Sequence, residues 1–237
     1  MAVALVTGAT RGIGRAIAAK LAEEGHRVAV GYGSDAEAAQ RLAGELGGAA
    51  VGGDLARAET AGAMVDAVEA QLGPVEILVA NAGINTPPRR VEEISVEEWD
   101  RVHAVNLRAS FLLAQRVVPG MVERGFGRIV FISSVAAYTG GIVGAHYASS
   151  KAGLHALAHS FAKQSAAHGV TVNVVAPALV ESDMLPDDPG VREQLAAAIP
   201  VGRLGRPEEV ADLVAAVVRN AYLTNQSIPV DGGLHPT

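Results

Sequence analysis

Thr7-Gly8-Ala9-Thr10-Arg11-Gly12-Ile13-Gly14 follows directly on the short apolar run from Val3 to Val6 and leads into an alanine-rich helical pattern. A strand that turns on glycines into a helix is the opening unit of a doubly wound α/β sheet. At such a turn, main-chain N–H groups and the helix start point at an anion, and a pyrophosphate fits there. Glycine is needed wherever a β-carbon would block the turn or the approaching phosphate. The spacing is Gly-x3-Gly-x-Gly, and Ile17 stands where the commoner Gly-x-Gly-x-x-Gly form needs its third glycine. No Gly-Lys-Ser/Thr follows, so this is not the loop of a nucleotide hydrolase. Gly8, Thr10, Arg11, Gly12, Ile13 and Gly14 are therefore the expected cradle for a dinucleotide.

Outward from this loop, short β-branched runs alternate with longer helical patterns. Strands are predicted at 3–7, 27–31, 49–52, 77–80, 128–132, 171–176 and 227–230. Helices are predicted near 12–24, 35–47, 57–72, 96–123, 147–168 and 207–219. Pro207-Glu208-Glu209 opens the last of these with proline and acids in its first turn, where both are favoured. The alternation implies about seven parallel strands covered by helices on both faces. No linker or internal repeat interrupts residues 1–237, so a single domain is expected. The stretch 179–200, with Pro186, Pro189 and Gly190, is read as an irregular insert able to form a substrate lid.

Composition narrows the function classes. The chain has 237 residues, 49% of them hydrophobic and 19% charged, which excludes intrinsic disorder. A net charge of −6 argues against a nucleic-acid surface. With no cysteine, disulfides, thiolate metal sites and cysteine nucleophiles are excluded. MAVALVTG lacks the pattern of a signal peptide, and no apolar run approaches the ~20 residues of a membrane span. A cytoplasmic protein with no membrane partner is expected.

The choice of nucleotide is read at the end of the second strand, roughly 20 residues past the loop. An acid there binds a ribose 2′-hydroxyl and repels a 2′-phosphate. Gly31-Tyr32-Gly33-Ser34 carries no carboxylate before Asp35, and Arg11 adds positive charge on the same side. NADP(H) is therefore expected over NAD(H), which stays possible because Asp35 is close. Gly31 and Gly33 are read as a turn. Asp54-Leu55, just beyond the third strand, forms a further candidate pair.

Tyr147 and Lys151 stand four apart at the start of a helical pattern and share one face. Ser133 and Ser134 end the strand at 128–132, Asn81-Ala82-Gly83 ends the strand at 77–80, and Asn106 lies within the next helix. In open α/β sheets the ligand site lies outside the carboxyl ends of the strands, so these polar residues converge on the glycine loop. Ser133 itself is expected to be an ordinary strand-end serine. The histidines at 103, 146, 155, 159 and 168 show no metal-ligand pattern.

In these residues the chain resembles the short-chain dehydrogenase/reductase family. TGATRGIG at 7–14, NAG at 81–83, Asn106, Ser134, Tyr147-Ala-Ser-Ser-Lys151 and Asn173-Val-Val-Ala-Pro177 match its pattern in order and spacing over essentially the whole chain. The resemblance implies a Rossmann-type fold and hydride transfer between NAD(P) and a carbonyl or alcohol. It makes Tyr147 the general acid of reduction and Lys151 the group that lowers the tyrosine pKa and holds the nicotinamide ribose. Ser134 would polarise the substrate carbonyl, and Asn106 would hold a water that links Lys151 to solvent. Asp54 and Leu55 would contact the adenine. Pro177, Val180 and Ser182 would line the nicotinamide end, with Asn81, Ala82 and Gly83 beside the cofactor.

Within the family the chain is similar to the β-ketoacyl-acyl-carrier-protein reductases, through Pro177-Ala-Leu-Val-Glu-Ser-Asp-Met184, residues 199–210 and Val230-Asp-Gly-Gly233. This implies NADPH-dependent reduction of a 3-oxoacyl thioester, linked to acyl carrier protein or coenzyme A, in fatty-acid or polyketide synthesis. It also implies a homotetramer, with 96–123 and 147–168 as the segments that would pair. Ala178 and Ser182 depart from the usual Gly and Thr. Gly125 and His168 replace two carrier-docking arginines, while Arg124 and Arg128 lie nearby. A dehydrogenase of a sugar, steroid or other small secondary alcohol is the alternative.

Overall fold

The computed structural model describes residues 1–86, 90–182, 185 and 187–235. Asp183, Met184 and Pro186 of the expected lid lie outside the described residues. The chain forms, in order, β1 (Val3–Val6), α1 (Gly12–Glu23), β2 (Arg27–Tyr32), α2 (Ala36–Glu45), β3 (Ala49–Gly52), α3 (Ala58–Leu72) and β4 (Ile77–Ala80). There follow α4 (Val96–His103), α5 (Ala109–Arg124), β5 (Gly127–Ile132), α6 (Ala136–Thr139) and α7 (Ala145–Ser165). The chain continues through β6 (Val170–Pro177), α8 (Pro189–Ala197), α9 (Pro207–Arg219) and β7 (Ser227–Val230).

All seven strands run parallel in the order β3-β2-β1-β4-β5-β6-β7. Alternate residues of each strand point to opposite faces. Leu5, Leu78, Ile129, Phe131, Val172 and Val174 pack under α3, α5 and α7. Val6, Val30, Ile77, Val79, Val130 and Val175 pack under α1, α2 and α9. Because both faces are covered, the strands read as near-continuous apolar runs, as a parallel sheet requires. The strand order reverses direction between β1 and β4, which opens a crevice at their carboxyl ends. All expected site residues on β1 to β6 lie at that edge. Among the described residues no helix is long and apolar enough to cross a membrane.

Three local expectations are corrected. The predicted helix at 96–123 is broken by a wide π-helical turn, Ala104–Arg108, between α4 and α5. Asn106 sits in that turn, and the Ser110 hydroxyl donates back to its carbonyl at 3.1 Å. Such turns carry an extra residue and re-aim a side chain. The stretch at 179–200 is not wholly irregular, since it contains α8. Pro189 occupies the first turn of α8, where its missing N–H costs nothing, and Asp188 caps the Val191 N–H at 3.0 Å.

Gly31 belongs to β2 rather than to a turn. A β-carbon there would lie 2.9 Å from the Val6 carbonyl oxygen and 3.0 Å from the Thr7 Cα. The second strand and the root of the glycine loop approach too closely for any side chain. Gly31→Ala is expected to lower stability by about 1–3 kcal/mol, seen as a fall in the urea midpoint at unchanged slope. An unchanged midpoint would show that the loop root gives way freely.

Candidate active site

β1 and β4 are neighbours, and the residues just beyond them are latched together. The Asn81 side-chain amide donates to the carbonyls of Thr7 at 2.9 Å and Gly8 at 3.1 Å. In return the Thr7 hydroxyl accepts from the N–H groups of Asn81 at 3.1 Å and Ala82 at 3.0 Å. Asn81 thus holds the glycine loop through its side chain. A β-carbon on Gly14 would lie 2.2 Å from the Gly8 carbonyl oxygen and 2.5 Å from Asn81 Nδ2. Gly8 and Gly12 take left-handed φ values of 62° and 51°. The Arg11 side chain makes no capping hydrogen bond at the start of α1, and the first turn of that helix holds no acid. The cradle therefore suits an anion such as a dinucleotide pyrophosphate.

Beside the loop, Thr10, Arg11, Gly12, Arg15, Ala38, Arg41, Leu42 and Glu45 line a cavity of about 340 Å³. Arg15 reaches Glu45 at 3.8 Å, and Arg41 pairs with Glu37 one helical turn earlier. The cationic contributions of Arg15 and Arg41 were not legible in the sequence, because they depend on how α1 and α2 face each other. Asp35, the nearest acid after β2, caps the Ala38 N–H at 2.9 Å. Tyr32 ends β2, half-buried, with its ring packed over Gly52. Asp54 Oδ1 accepts from the Ala56 N–H at 3.0 Å in a turn, and Leu55 is buried in the core.

At the other end of the crevice, α7 carries Tyr147 and Lys151 one turn apart, with the ammonium 5.8 Å from the ring centroid. Lys151 is 4% exposed and donates to the Ile132 carbonyl at 2.8 Å. Burial pulls its pKa down to about 8. The expectation that Lys151 lowers the Tyr147 pKa is corrected: burial pushes the phenol above its ordinary value, and the group that pulls it back is the Ser134 hydroxyl. Ser134 in turn accepts from the Ala136 N–H at 3.1 Å, which fixes it at the start of α6. Its hydroxyl, the phenol and the ammonium form one donor cluster.

Asn106 is fully buried. Its Oδ1 accepts from the Ile84 N–H at 2.8 Å, and its Nδ2 donates to the Ile84 carbonyl at 3.0 Å and to Ser150 Oγ at 3.1 Å. These bonds splice the segment after β4 to α7. They also explain the π-helical turn, which swings Asn106 inward. Gly83 lies beside both: a β-carbon on it would sit 3.2 Å from Lys151 Nζ and 3.4 Å from Asn106 Oδ1. Pro177 closes β6, and its carbonyl accepts from the Val135 N–H at 2.9 Å. Val180 is buried and bridges to Gly205. Ser182 approaches the glycine loop, its Cβ 3.9 Å from where a Gly12 β-carbon would stand. The glycine loop and the segment after β6 thus bracket the crevice.

Two further expectations change. Ser133 is buried, and its hydroxyl donates to the Lys151 main-chain carbonyl at 2.9 Å, so it is more than a strand-end residue. Arg128 is withdrawn from any docking patch. Its guanidinium is buried over the Phe126 ring and donates to the carbonyls of Val218, Gly127 and Gly169. Of the histidines, His146 is fully buried and shares a 2.7 Å hydrogen bond with Thr86 Oγ1. No group of three or more His, Asp or Glu among the described residues is placed to hold a metal ion.

Known proteins with this sequence pattern were found by comparison. The family model described as short chain dehydrogenase matches residues 2–189. The 3-oxoacyl-acyl-carrier-protein reductase FabG of Staphylococcus aureus (strain Mu50) is 38% identical over 98% of this chain and 97% of its own. The protein of the same name from Escherichia coli (strain K12) is 39% identical, again over 98% of this chain and 97% of its own. That of Staphylococcus epidermidis (strain ATCC 12228) is 37% identical over 98% of each.

The buried ammonium has a stability consequence. The folded protein holds Lys151 near 8, while the unfolded chain holds it near the ordinary 10.5. Below pH 8 the charged side chain therefore disfavours folding in full, and this penalty fades as pH rises from about 8 through 10.5. Lys151→Met is expected to raise the unfolding temperature at pH 7 and to raise it much less at pH 10. Equal effects at the two pH values would contradict the depressed pKa.

Proposed function

Because the chain belongs to the short chain dehydrogenase family, we propose that it is an NADPH-dependent oxidoreductase that reduces the ketone of a 3-oxoacyl thioester to a secondary alcohol. The observation that carries this reading is the placement of Tyr147, Lys151 and Ser134 beside a glycine cradle at the same sheet edge. The names of the full-length relatives support the thioester class of substrate, with acyl carrier protein or coenzyme A as the thiol.

A reduced nicotinamide dinucleotide bound along the glycine loop would supply the hydride. As the carbonyl oxygen gains charge, Tyr147 gives it the phenolic proton, and the Ser134 hydroxyl donates to the same oxygen. At neutral pH the raised phenol is in its acid form, ready for that step. Lys151 is charged below about 8 and stabilises the phenolate left behind. Its ammonium would also hold the nicotinamide ribose. Asn106 keeps Gly83 and Ile84 against α7. Asn106 would also hold the water that links Lys151 to solvent, the role that the family pattern gives it.

Arg11, with Arg15 and Arg41 across the same cavity, supports NADPH over NADH, as does the engagement of Asp35 in capping α2. With this activity go a cytoplasmic address and a homotetramer in which α5 and α7 pair with their copies. Light scattering at the mass of one chain would overturn the tetramer. A second reading, a dehydrogenase of small secondary alcohols, is favoured by the buried Arg128 and by Gly125 and His168 at the docking positions. Acetoacetyl-carrier protein, acetoacetyl-CoA and a panel of free alcohols and ketones separate the two. Preference for the free compounds would select the second.

Tyr147→Phe is expected to lower turnover by about 100-fold or more, and unchanged turnover would remove the acid role. Reduction by the unaltered protein is expected to slow as pH rises through about 8, where Lys151 loses its charge. A flat profile across that range would contradict the role of the ammonium. Replacing Arg11 and Arg41 together by Ala is expected to cut the NADPH-to-NADH preference by roughly tenfold or more. An unaltered ratio would place the 2′-phosphate elsewhere.

A further inference from the structure

Three consecutive residues at the carboxyl end of β5 each hold a different part of α7. The Ile132 carbonyl takes the Lys151 ammonium, the Ser133 hydroxyl takes the Lys151 main-chain carbonyl, and the Ser134 hydroxyl meets the Tyr147 phenol. The middle contact has a second member. Ser133 Oγ lies 2.8 Å from Nε2 of His155, one turn beyond Lys151 on α7. A serine hydroxyl has a single proton. When that proton is on the Lys151 carbonyl, the 2.8 Å bond requires His155 to donate its Nε2–H to Ser133.

The imidazole is oriented from its other side as well. Tyr138 from α6 meets it edge-on, with centroids 4.9 Å apart and planes at 84°. Tyr138 is itself stacked on His235. Burial and the neighbouring His159 lower the His155 pKa, so the ring is neutral at pH 7 and its proton position is set by this bond. The pair thus ties the Lys151 turn of α7 to β5 by a route separate from the reacting groups.

We propose that Ser133 and His155 are positioning residues for the reaction, fixing the Lys151 turn of α7 to the end of β5 so that phenol and ammonium meet Ser134 in alignment. The proposal rests on the reading of Tyr147 and Lys151 as the reacting pair. Neither residue is one of the reacting groups. Their effect reaches the chemistry through the Lys151 main chain, where misplacement of about 1 Å can cost 100-fold in rate.

The test uses Ser133→Ala, Ser133→Thr, His155→Leu and His155→Gln in the full chain. Each variant is assayed with acetoacetyl-CoA and NADPH. The ionisation of Tyr147 is measured without substrate by ultraviolet difference titration against Tyr147→Phe. Ser133→Ala and His155→Leu are expected to lower kcat by on the order of tenfold, with KM for both substrates within about twofold, and to displace the Tyr147 titration. Ser133→Thr keeps the hydroxyl and His155→Gln keeps a donor, so both are expected to recover most of the rate and the titration. The proposal is overturned if the Ala and Leu variants retain kcat and the Tyr147 titration. It is equally overturned if the conservative variants fail as badly, which would mark a packing role. If the unaltered protein reduces no thioester, the functional reading fails and the titration alone decides. A displaced Tyr147 ionisation in Ser133→Ala then upholds the positioning role, and an unchanged one refutes it.

Discussion

A lysine ammonium buried against a neutral carbonyl is the contact on which the arrangement of this sheet edge depends. Removing a charge from water is costly, and the bond from Lys151 to the Ile132 carbonyl offsets only part of that cost, which is why its pKa falls to about 8. The contact exists only if β5 runs to its end beneath α7 and α7 begins far enough back to carry Tyr147 as well. Gly83 leaves room beside it, since a β-carbon there would come within 3.2 Å of the ammonium. Asn106 and Ser150 then lock the segment after β4 onto the same helix. Four elements of the fold are thus held around one charge, and the depressed pKa near 8 reflects how completely they enclose it.

A second network stands at the opposite end of the crevice and follows the same logic without a charge. Thr7 and Asn81 exchange four hydrogen bonds with the backbone just beyond β1 and β4. Parallel pairing of β1 with β4 puts Val6 opposite Val79, so Thr7 and Asn81 stand one step apart in register at adjoining strand ends. The glycine loop is therefore shaped by the sheet before any ligand arrives, a preorganised anion site rather than a flexible one. Between the two networks lies the strand-order reversal, where a dinucleotide spanning both ends fits the topology.

Much of this was legible in the residues. The seven strands are short, β-branched and bounded by turns, so both their number and their order along the chain follow from patterning. The glycine loop and the Tyr147–Lys151 spacing are local, and local signals survive without a structure. What was hidden depends on tertiary contact. The π-helical turn arises because Asn106 is pulled inward by Ile84 and Ser150, and both partners are distant in sequence. Pro189 resembles a breaker until Asp188 is seen to cap the helix it starts. Ser133 has nothing in its neighbours to distinguish it from an ordinary strand-end serine, because its partners come from α7. Arg128 looked available for docking, yet a run of residues buried on both sheet faces draws its guanidinium inward, where three carbonyls satisfy it.

The polar edge, the anion cradle and the tyrosine–lysine pair together make one chemical claim: a hydride and a proton are added across a ketone held at the end of β5. The most direct test is to incubate acetoacetyl-CoA with the protein and NADPH deuterated at both transferable positions, then read the product by mass spectrometry. The expected product is the 3-hydroxyacyl thioester with one deuterium on its carbinol carbon and an oxygen-bound proton drawn from water. An unlabelled alcohol, or NADPH consumed with no alcohol formed, would contradict the claim.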